Sequence, residues 1–457
     1  MKYDVCVVGG GPGGYTAAVR AARLGGKVIL VEKDEIGGTC LNRGCIPLKV
    51  LLQAAEIISV MKEAKNFGIA AGNLTLDLKT LMELKDSVVT TLRGQTRKLV
   101  ENSGTEIVKG EGVVEDSNSV LVRLEGGRER MISCGKIILA TGSTATRLPV
   151  EGALGKNVIT SDDALKLESA PESIIIVGGG AVGTEFACAL NQFGSKVTLL
   201  EMMPHLLPAE DEEITGLLKQ YLEKQGIAVK TGAMVKAIKE GADGEKIVAV
   251  AVQGKEDNII GKMVLMAAGR SPNLSVLGTN RIGVQTFKGG IMVDERMQTN
   301  VVGIFAIGDL VGKLQFAHVA SAQGVVAADN AMGKDSRMDY RAVPRCVYTI
   351  PEMAAVGLTE KQAKDEGLKI KVGKVPFSNV ARAHTLGDTR GGVKIIADQE
   401  YGAILGASFI GPRATEIAQE IVLAIKLEST VGDVAAAIHP HPTLTEALKE
   451  AAEKAST

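Results

Sequence analysis

The chain reads as an α/β protein with two Rossmann-like dinucleotide-binding domains and a C-terminal α+β domain. Three features carry that expectation. A short apolar run from Tyr3 to Val8, of the kind a buried parallel strand shows, opens onto Gly9, Gly11 and Gly14 in the G-x-G-x-x-G pattern. The same unit returns 169 positions later, as Ser173 to Val177 followed by Gly178, Gly180 and Gly183. From Val343 onward the alternation of strand and helix gives way to β-rich segments with no third fingerprint.

In the first unit an apolar helix is expected from about Tyr15 to Leu24, then a strand from Lys27 to Val31 ending in Glu32, 23 positions after Gly9. The glycines let backbone N–H groups and the helix N-terminus approach a pyrophosphate, and the acid can bind a ribose hydroxyl. A lone glycine pattern is weak, because a structural turn explains it. Strand, helix and acid in register make it strong. The second copy repeats the arrangement: Lys196 to Leu200 leads into Glu201, again 23 positions after its first glycine. Both copies carry Gly-x-Lys-Val before the acid, from Gly25 and from Gly194. An internal repeat of this kind means two dinucleotide sites.

Each copy closes on a further strand, Ile137 to Ala140 before Thr141-Gly142-Ser143 and Met263 to Ala267 before Ala268-Gly269-Arg270. Between these landmarks the first copy is longer by 42 residues. The excess falls around Cys40 to Lys98, where Val50 to Lys65 and Leu76 to Leu99 read as amphipathic helices. Next comes an apolar strand over Val301 to Asp309, then a helix from about Ala317 to Met332. Asp309 there is either a carboxylate beside a cofactor or a turn former. Strands at Ala354 to Val356, Ile370 to Val375, Val393 to Ala397 and Ile404 to Ile410 follow, then helices at Thr415 to Leu427 and Thr443 to Lys454. The expected boundaries are 1–147, 148–270, a central segment 271–339 and a last domain 340–457.

Chemistry concentrates in two stretches. Cys40 and Cys45 lie five positions apart where a helix should open. On an ideal helix their Cα atoms would be about 8.6 Å apart, whereas a disulfide wants no more than about 6.8 Å. Bonding therefore requires a distorted first turn, which Gly44 permits. A strained bond at a helix start, where the dipole favours thiolates, reads as a redox pair. Two unpaired cysteines and a zinc site are the alternatives, though no second Cys/His pair follows at ligand spacing. Near the C-terminus stands His439-Pro440-His441-Pro442-Thr443-Leu444-Thr445-Glu446. Glu446 either closes a capping box with Thr443 or orients His441 as an acid–base group, and His439 competes with His441.

The 457 residues are 45% hydrophobic and 23% charged, an ordinary globular composition, with a net charge of −1. That balance gives no electrostatic footprint for nucleic acid or an anionic membrane. No membrane span and no metal site are expected, and the first strand starts too soon after Met1 to leave room for a leader. Six scattered cysteines are no secreted framework, so the expected compartment is the reducing cytoplasm. Cys6 and Cys188 read as core residues, while Cys134 and Cys346 have no partner that the sequence identifies.

Gly37-Gly38-Thr39-Cys40-Leu41-Asn42-Arg43-Gly44-Cys45-Ile46-Pro47, the two fingerprints, Gly308-Asp309 and His441-Pro442-Thr443 with Glu446 occur in one order across the chain. In this the sequence resembles the flavin disulfide reductases, and within them the branch acting on dihydrolipoamide with NAD+. The resemblance implies that the first unit binds FAD, through Gly9, Gly11, Gly14, Glu32, Lys33, Gly38, Thr39, Lys49, Gly112, Thr141, Gly142, Ser143, Asp309 and Ala317. It implies that the second binds NAD, through Gly178, Gly180, Gly183, Glu185, Glu201, Val235, Gly269 and Arg270. Cys40 would exchange with the substrate and Cys45 would face the flavin, with Lys49 beside it and paired to Glu185. The last domain would form a homodimer, placing His441 and Glu446 in the other subunit's site. Partners would be lipoyl-carrying proteins of a 2-oxoacid dehydrogenase complex or a glycine cleavage system. A glutathione-type member using NADPH, and a non-catalytic flavoprotein, are the rival expectations. Leu48 departs from the family pattern, which has a small or polar residue before the lysine.

Overall fold

A computed structural model describes residues 2–456 apart from 71, 73, 253 and 279–281. The chain divides into two compact units. One comprises Met1–Val50, Lys79–Thr146 and Gly269–Asp339, and the other Leu51–Leu78, Arg147–Ala268 and Tyr340–Thr457.

The first unit is built on a parallel sheet in the order Glu106–Lys109, Val28–Glu32, Tyr3–Val8, Glu129–Leu139, Ile304–Ala306. Its central strands are runs of Val, Ile and Leu, and Val5, Cys6, Val7, Ile29 and Leu30 are wholly buried, as a sheet covered on both faces requires. Helix Pro12–Arg23 crosses between the first two strands, and Ala317–Ala331 lies against it, tied by Arg20 Nε to Asp329 at 2.7 Å. The N-terminal half of Glu129–Leu139 leaves the parallel ladder and pairs antiparallel with Ser119–Arg123, which pairs in turn with Glu111–Asp116.

The second unit repeats the motif. Its parallel sheet runs Ala228–Thr231, Lys196–Glu201, Ser173–Val177, Met263–Met266, Val158–Thr160. The repeat of 169 holds to the residue: Val5 pairs with Val28 in one sheet, and Ile174 with Val197 in the other. Beyond it lie a three-stranded antiparallel sheet over residues 233–261 and a five-stranded antiparallel sheet in the order Arg345–Val347, Glu352–Gly357, Ile404–Gly411, Gly392–Asp398, Ile370–Pro376. Helices Ala414–Lys426 and Glu446–Ser456 cover the last sheet, burying Ile417, Ile421, Ile425, Leu448 and Ala451. Lys394 on that sheet is 4% exposed and binds Asp211 at 2.8 Å, Glu213 at 3.1 Å and Glu360 at 2.7 Å. Asp211 also caps helix Glu212–Lys224.

Several expectations are corrected. The inserted helices run Cys45–Glu63 and Leu78–Asn102, so the first begins five residues before the expected Val50. The strand expected over Val301 to Asp309 shrinks to Ile304–Ala306, because Thr299 binds the carbonyls of Val301 and Ile304 and turns the chain just before it. The helix expected from Thr443 starts at Glu446, since the Thr443 hydroxyl donates to the Pro440 carbonyl instead of capping. Cys134, left without a partner above, lies against Cys6 in the first unit's core; that contact and burial push the Cys6 thiol well up. Gly38–Phe67, with a mean hydropathy of 1.5 in its most apolar window, is the one stretch among the described residues long and apolar enough to cross a membrane. It is interrupted at Gly44 and carries the cysteine pair.

Candidate active site

The two nucleotide cradles match in detail. In the first, a Cβ on Gly9 would meet the Ala140 carbonyl oxygen at 2.3 Å and one on Gly14 the Gly9 oxygen at 1.8 Å. In the second, the corresponding distances are 2.3 Å for Gly178 against Ala267 and 1.9 Å for Gly183 against Gly178. Those four glycines are demanded by the fold itself. The middle ones are not: a Cβ on Gly11 would come no nearer than 3.8 Å to anything, and one on Gly180 would meet nothing within 4 Å. The space they leave lies at the N-termini of helices Pro12–Arg23 and Ala181–Gln192, where backbone N–H groups receive a pyrophosphate. The residues present therefore fit a dinucleotide in each unit.

Both acids are pre-set. Glu32 accepts from the Gly10 amide at 2.5 Å and the Asp34 amide at 2.7 Å, and Glu201 from Gly179 at 2.6 Å and Met203 at 2.7 Å. Each carboxylate is thus anchored at the mouth of its glycine loop.

Around the first cradle, Gly38 closes on Gly11, so a Cβ on Gly38 would sit 2.6 Å from the Gly11 Cα. Asp309 accepts from the Ser143 hydroxyl, and Arg270 donates to Ser143 through Nε and Nη2, both at 2.7 Å, with Thr39 3.5 Å away. Arg270, placed on the NAD side by the sequence reading, thus spends its guanidinium within the first unit. Thr141 and Asn273 bond each other's carbonyls at 2.9 Å, holding Gly142 open to solvent space. Gly308 donates its amide to buried Gln323, which sets the turn carrying Asp309; Ala317 opens the following helix. Gly112 sits against Val8, and Lys33 pairs loosely with Glu111.

The sulfur pair sits on a broken helix. Gly38–Arg43 stops at Gly44, whose φ of −143° and ψ of −110° leave the helical region, and a new helix starts at Cys45. A Cβ on Gly44 would stand 3.0 Å from the Thr39 carbonyl. The break brings the two side chains into hydrogen-bonding contact, and the structure carries them unbridged. Contact with Cys45 first, then burial, pushes the Cys40 thiol well up, while the Lys49 ammonium pulls the other way. Asn42 straps the approach to this helix by donating to the carbonyls of Glu35, Ile36 and Gly38, and Arg93 holds the Asn42 oxygen at 2.8 Å. Leu48 is 4% exposed, so its apolar side chain is packed.

In the second unit, Glu185 is 3% exposed and accepts from the Tyr348 amide at 3.0 Å. Val235 lies on strand Ala233–Glu240, while Gly269, where the chain re-enters the first unit, has a φ of +105° with nothing near a Cβ. His441, 70% exposed, places Nδ1 2.8 Å from Glu446, whose other oxygen accepts the Thr443 amide at 2.9 Å. One carboxylate therefore bonds both the His441 ring and the Thr443 amide, while the Thr443 hydroxyl, turned to Pro440, leaves no capping box. His439 differs from its neighbour: its side chain is 5% exposed, with one nitrogen 3.0 Å from the Ala437 carbonyl and the other 3.0 Å from Glu420. Neither Asn42–Arg93 nor His439–Glu420 leaves a periodic trace in the sequence.

A scan of family models matches residues 3–324 to the pyridine nucleotide-disulphide oxidoreductase family and 343–452 to that family's dimerisation domain. The chain belongs to that family. Among curated relatives it is 42% identical to the dihydrolipoyl dehydrogenase of Thermus scotoductus, covering 99% of this chain and 97% of that one. It is also 42% identical to the dihydrolipoyl dehydrogenase of Geobacillus stearothermophilus, over 100% and 96%. Among solved structures, LpdA from Mycobacterium tuberculosis superposes with a TM-score of 0.91 at 27% identity, over 98% and 99% of the chains. The copper complex of the HOCl-induced flavoprotein disulfide reductase RclA from Escherichia coli gives 0.88 at 28%, over 99% of each.

Proposed function

We propose that this chain is a flavin-dependent disulfide oxidoreductase that oxidises the dihydrolipoyl group of a carrier protein and reduces NAD+ to NADH. The observation that carries the reading is the contact of Cys40 with Cys45 across the break at Gly44, in the unit that holds the first cradle. FAD, when bound, supplies the two-electron relay between this sulfur pair and the pyridine nucleotide. Gly9, Gly11, Gly14, Glu32, Gly38, Thr141, Gly142, Ser143 and Asp309 would hold FAD. Gly178, Gly180, Gly183, Glu201 and Val235 would hold NAD.

Residues 1–147 and 271–339 act as the FAD part, 148–270 as the NAD part, and 340–457 as the interface of a homodimer. Exposed apolar side chains at Leu423, Leu427 and Ile438 in the last part suit burial against a second copy. Across that interface the partner subunit's His441, held by Glu446, takes the proton of one substrate thiol. The resulting thiolate attacks Cys40 of the oxidised pair, and Cys45 leaves as a thiolate. The imidazolium gives that proton to solvent, and the ring takes the proton of the second substrate thiol. The thiolate so formed attacks the substrate sulfur of the mixed disulfide and expels Cys40 as a thiolate. The substrate ends as a cyclic disulfide, and the two electrons reside on the cysteines until NAD+ receives them. Lys49, four residues after Cys45 on the same helix, places positive charge beside the sulfur pair. Glu201 presents a carboxylate where NADP would carry its 2′-phosphate, so NAD is preferred. Scattered cysteines and a dithiol substrate suit the cytoplasm.

The test is NAD+ reduction by dihydrolipoamide, with Cys45→Ser as control. Robust wild-type turnover that vanishes in the variant supports the reading. Faster turnover of glutathione disulfide with NADPH overturns it.

A further inference from the structure

One concavity in the second unit is unexplained by the chemistry above. A groove of about 360 Å³ is lined by Arg382, Leu386, Arg413 and Ile417 on one side and by Pro442 to Thr445 on the other. Its second wall is the segment that joins His441 to Glu446, so whatever fills the groove touches the loop that positions the imidazole.

Two guanidiniums frame an otherwise largely apolar lining. Among the described residues Arg413 has no side-chain partner, and Arg382 has only the Thr385 hydroxyl at 3.3 Å. The fold gives no reason for arginine at 413. That residue is the N-cap of helix Ala414–Lys426, with a φ of +59°, and its side chain makes no cap. Such a position suits Gly or Asn, and a cation there opposes the helix dipole. Two exposed planar donors, with only the Thr385 hydroxyl between them as a side-chain partner, beside an apolar floor match a carboxylate next to an apolar side chain.

We propose that this groove docks a carboxylate-bearing segment of the protein that carries the dithiol arm, with Arg382 and Arg413 gripping its acidic side chains. The proposal rests on the functional reading above and deepens it. The groove selects the carrier, while the arm itself is processed at the sulfur pair. A free dithiol has no carboxylate to offer and gains nothing from the arginines.

The experiment compares two substrates, free dihydrolipoamide and a dihydrolipoylated carrier domain with Asp and Glu beside its lipoyl lysine. The enzymes are the wild-type holoenzyme and the double variant Arg382→Gln with Arg413→Asn, Asn being tolerated at positive φ. Expected is a fall of roughly 10-fold in kcat/KM for the carrier at low salt, with a flatter salt dependence. Turnover of free dihydrolipoamide should stay within about 2-fold of wild type, because neither arginine touches the reacting atoms. Equal losses on both substrates, or none on either, overturn the proposal. So does a variant that dissociates to monomers in sedimentation, since the groove would then belong to a second copy. A wild-type enzyme inactive on free dihydrolipoamide overturns the functional reading, and this proposal with it.

Discussion

The imidazole of His441 and the carboxylate of Glu446 meet at 2.8 Å, and the second carboxylate oxygen is spent on the Thr443 amide. The bond to His441, then the Thr443 amide, holds the Glu446 carboxyl below its usual range. A lowered carboxyl stays ionised to a lower pH than a free one. Its hold on the ring is lost only below its own depressed value.

Replacing Glu446 by Gln keeps an oxygen for the Thr443 amide and removes the charge facing the ring. The expected outcome is a fall of about 10- to 100-fold in kcat with dihydrolipoamide, flavin content unchanged, because general acid–base catalysis depends on an oriented imidazole. An unchanged kcat would mean that the contact is only a helix-start brace.

The glycine loops separate fold from ligand by substitution. Gly183→Ala puts a methyl group 1.9 Å from the Gly178 oxygen, so urea unfolding should show a loss of about 1–3 kcal/mol. Gly180→Ala meets nothing and sits at a φ of −75°, which alanine accepts. Its melting should match wild type, while KM for NAD+ rises about 10-fold because the pyrophosphate can no longer approach the backbone. An unaltered KM would remove the ligand from that cradle.

The twin cradles were legible because a local pattern specifies them: strand, glycine loop, helix, strand and acid are contiguous, so the repeat carried its register into the structure unaltered. The cysteine pair was legible for the same reason, including the need for Gly44 to break the helix. Contacts that join distant parts of the chain were not. Asn42 and Arg93 are 51 positions apart, and Lys394 and Asp211 are 183 apart, with nothing in either neighbourhood to announce the other. The late start of the last helix is not legible in the sequence either, because Thr443 and Glu446 have capping-box spacing whether or not the hydroxyl is used.

Lys394 shows what such a distant contact is worth. Burial opposes its charge, but the bonds to Asp211 and Glu360 outweigh that and raise its pKa. Lys364 and then Lys394 hold Glu360 at about 2. Lys394→Met leaves Asp211, 4% exposed, without its cation, and should destabilise the fold by about 3–5 kcal/mol. Wild-type stability from Glu360 is present above the ordinary glutamate value of 4.5 and drains away as pH falls towards about 2. That from Lys394 is full below the ordinary lysine value of 10.5 and fades as pH rises through its raised value. Thermal melts of the variant should therefore lie below wild type across neutral pH, with acid unfolding at a higher pH. Coincident melts would reduce the cluster to decoration.

The proposed division of the site between subunits predicts an outcome that no single-chain arrangement can mimic. Cys45→Ser chains and His441→Gln chains should each give nearly inactive homodimers. Mixed and reassociated, half the dimers are hybrids if pairing is random. In a hybrid, the chain with intact cysteines receives His441 from the Cys45→Ser chain, giving one complete site, while the other site has lost both groups. Activity should then return to about a quarter of wild type, half the dimers working at one site of two. Had the cysteines and the histidine of one chain served the same site, every site in every hybrid would lack one group and nothing would return. Recovery that grows with the hybrid fraction, measured by tagging each chain differently, distinguishes the two arrangements by a factor that no loss of stability in either variant can imitate.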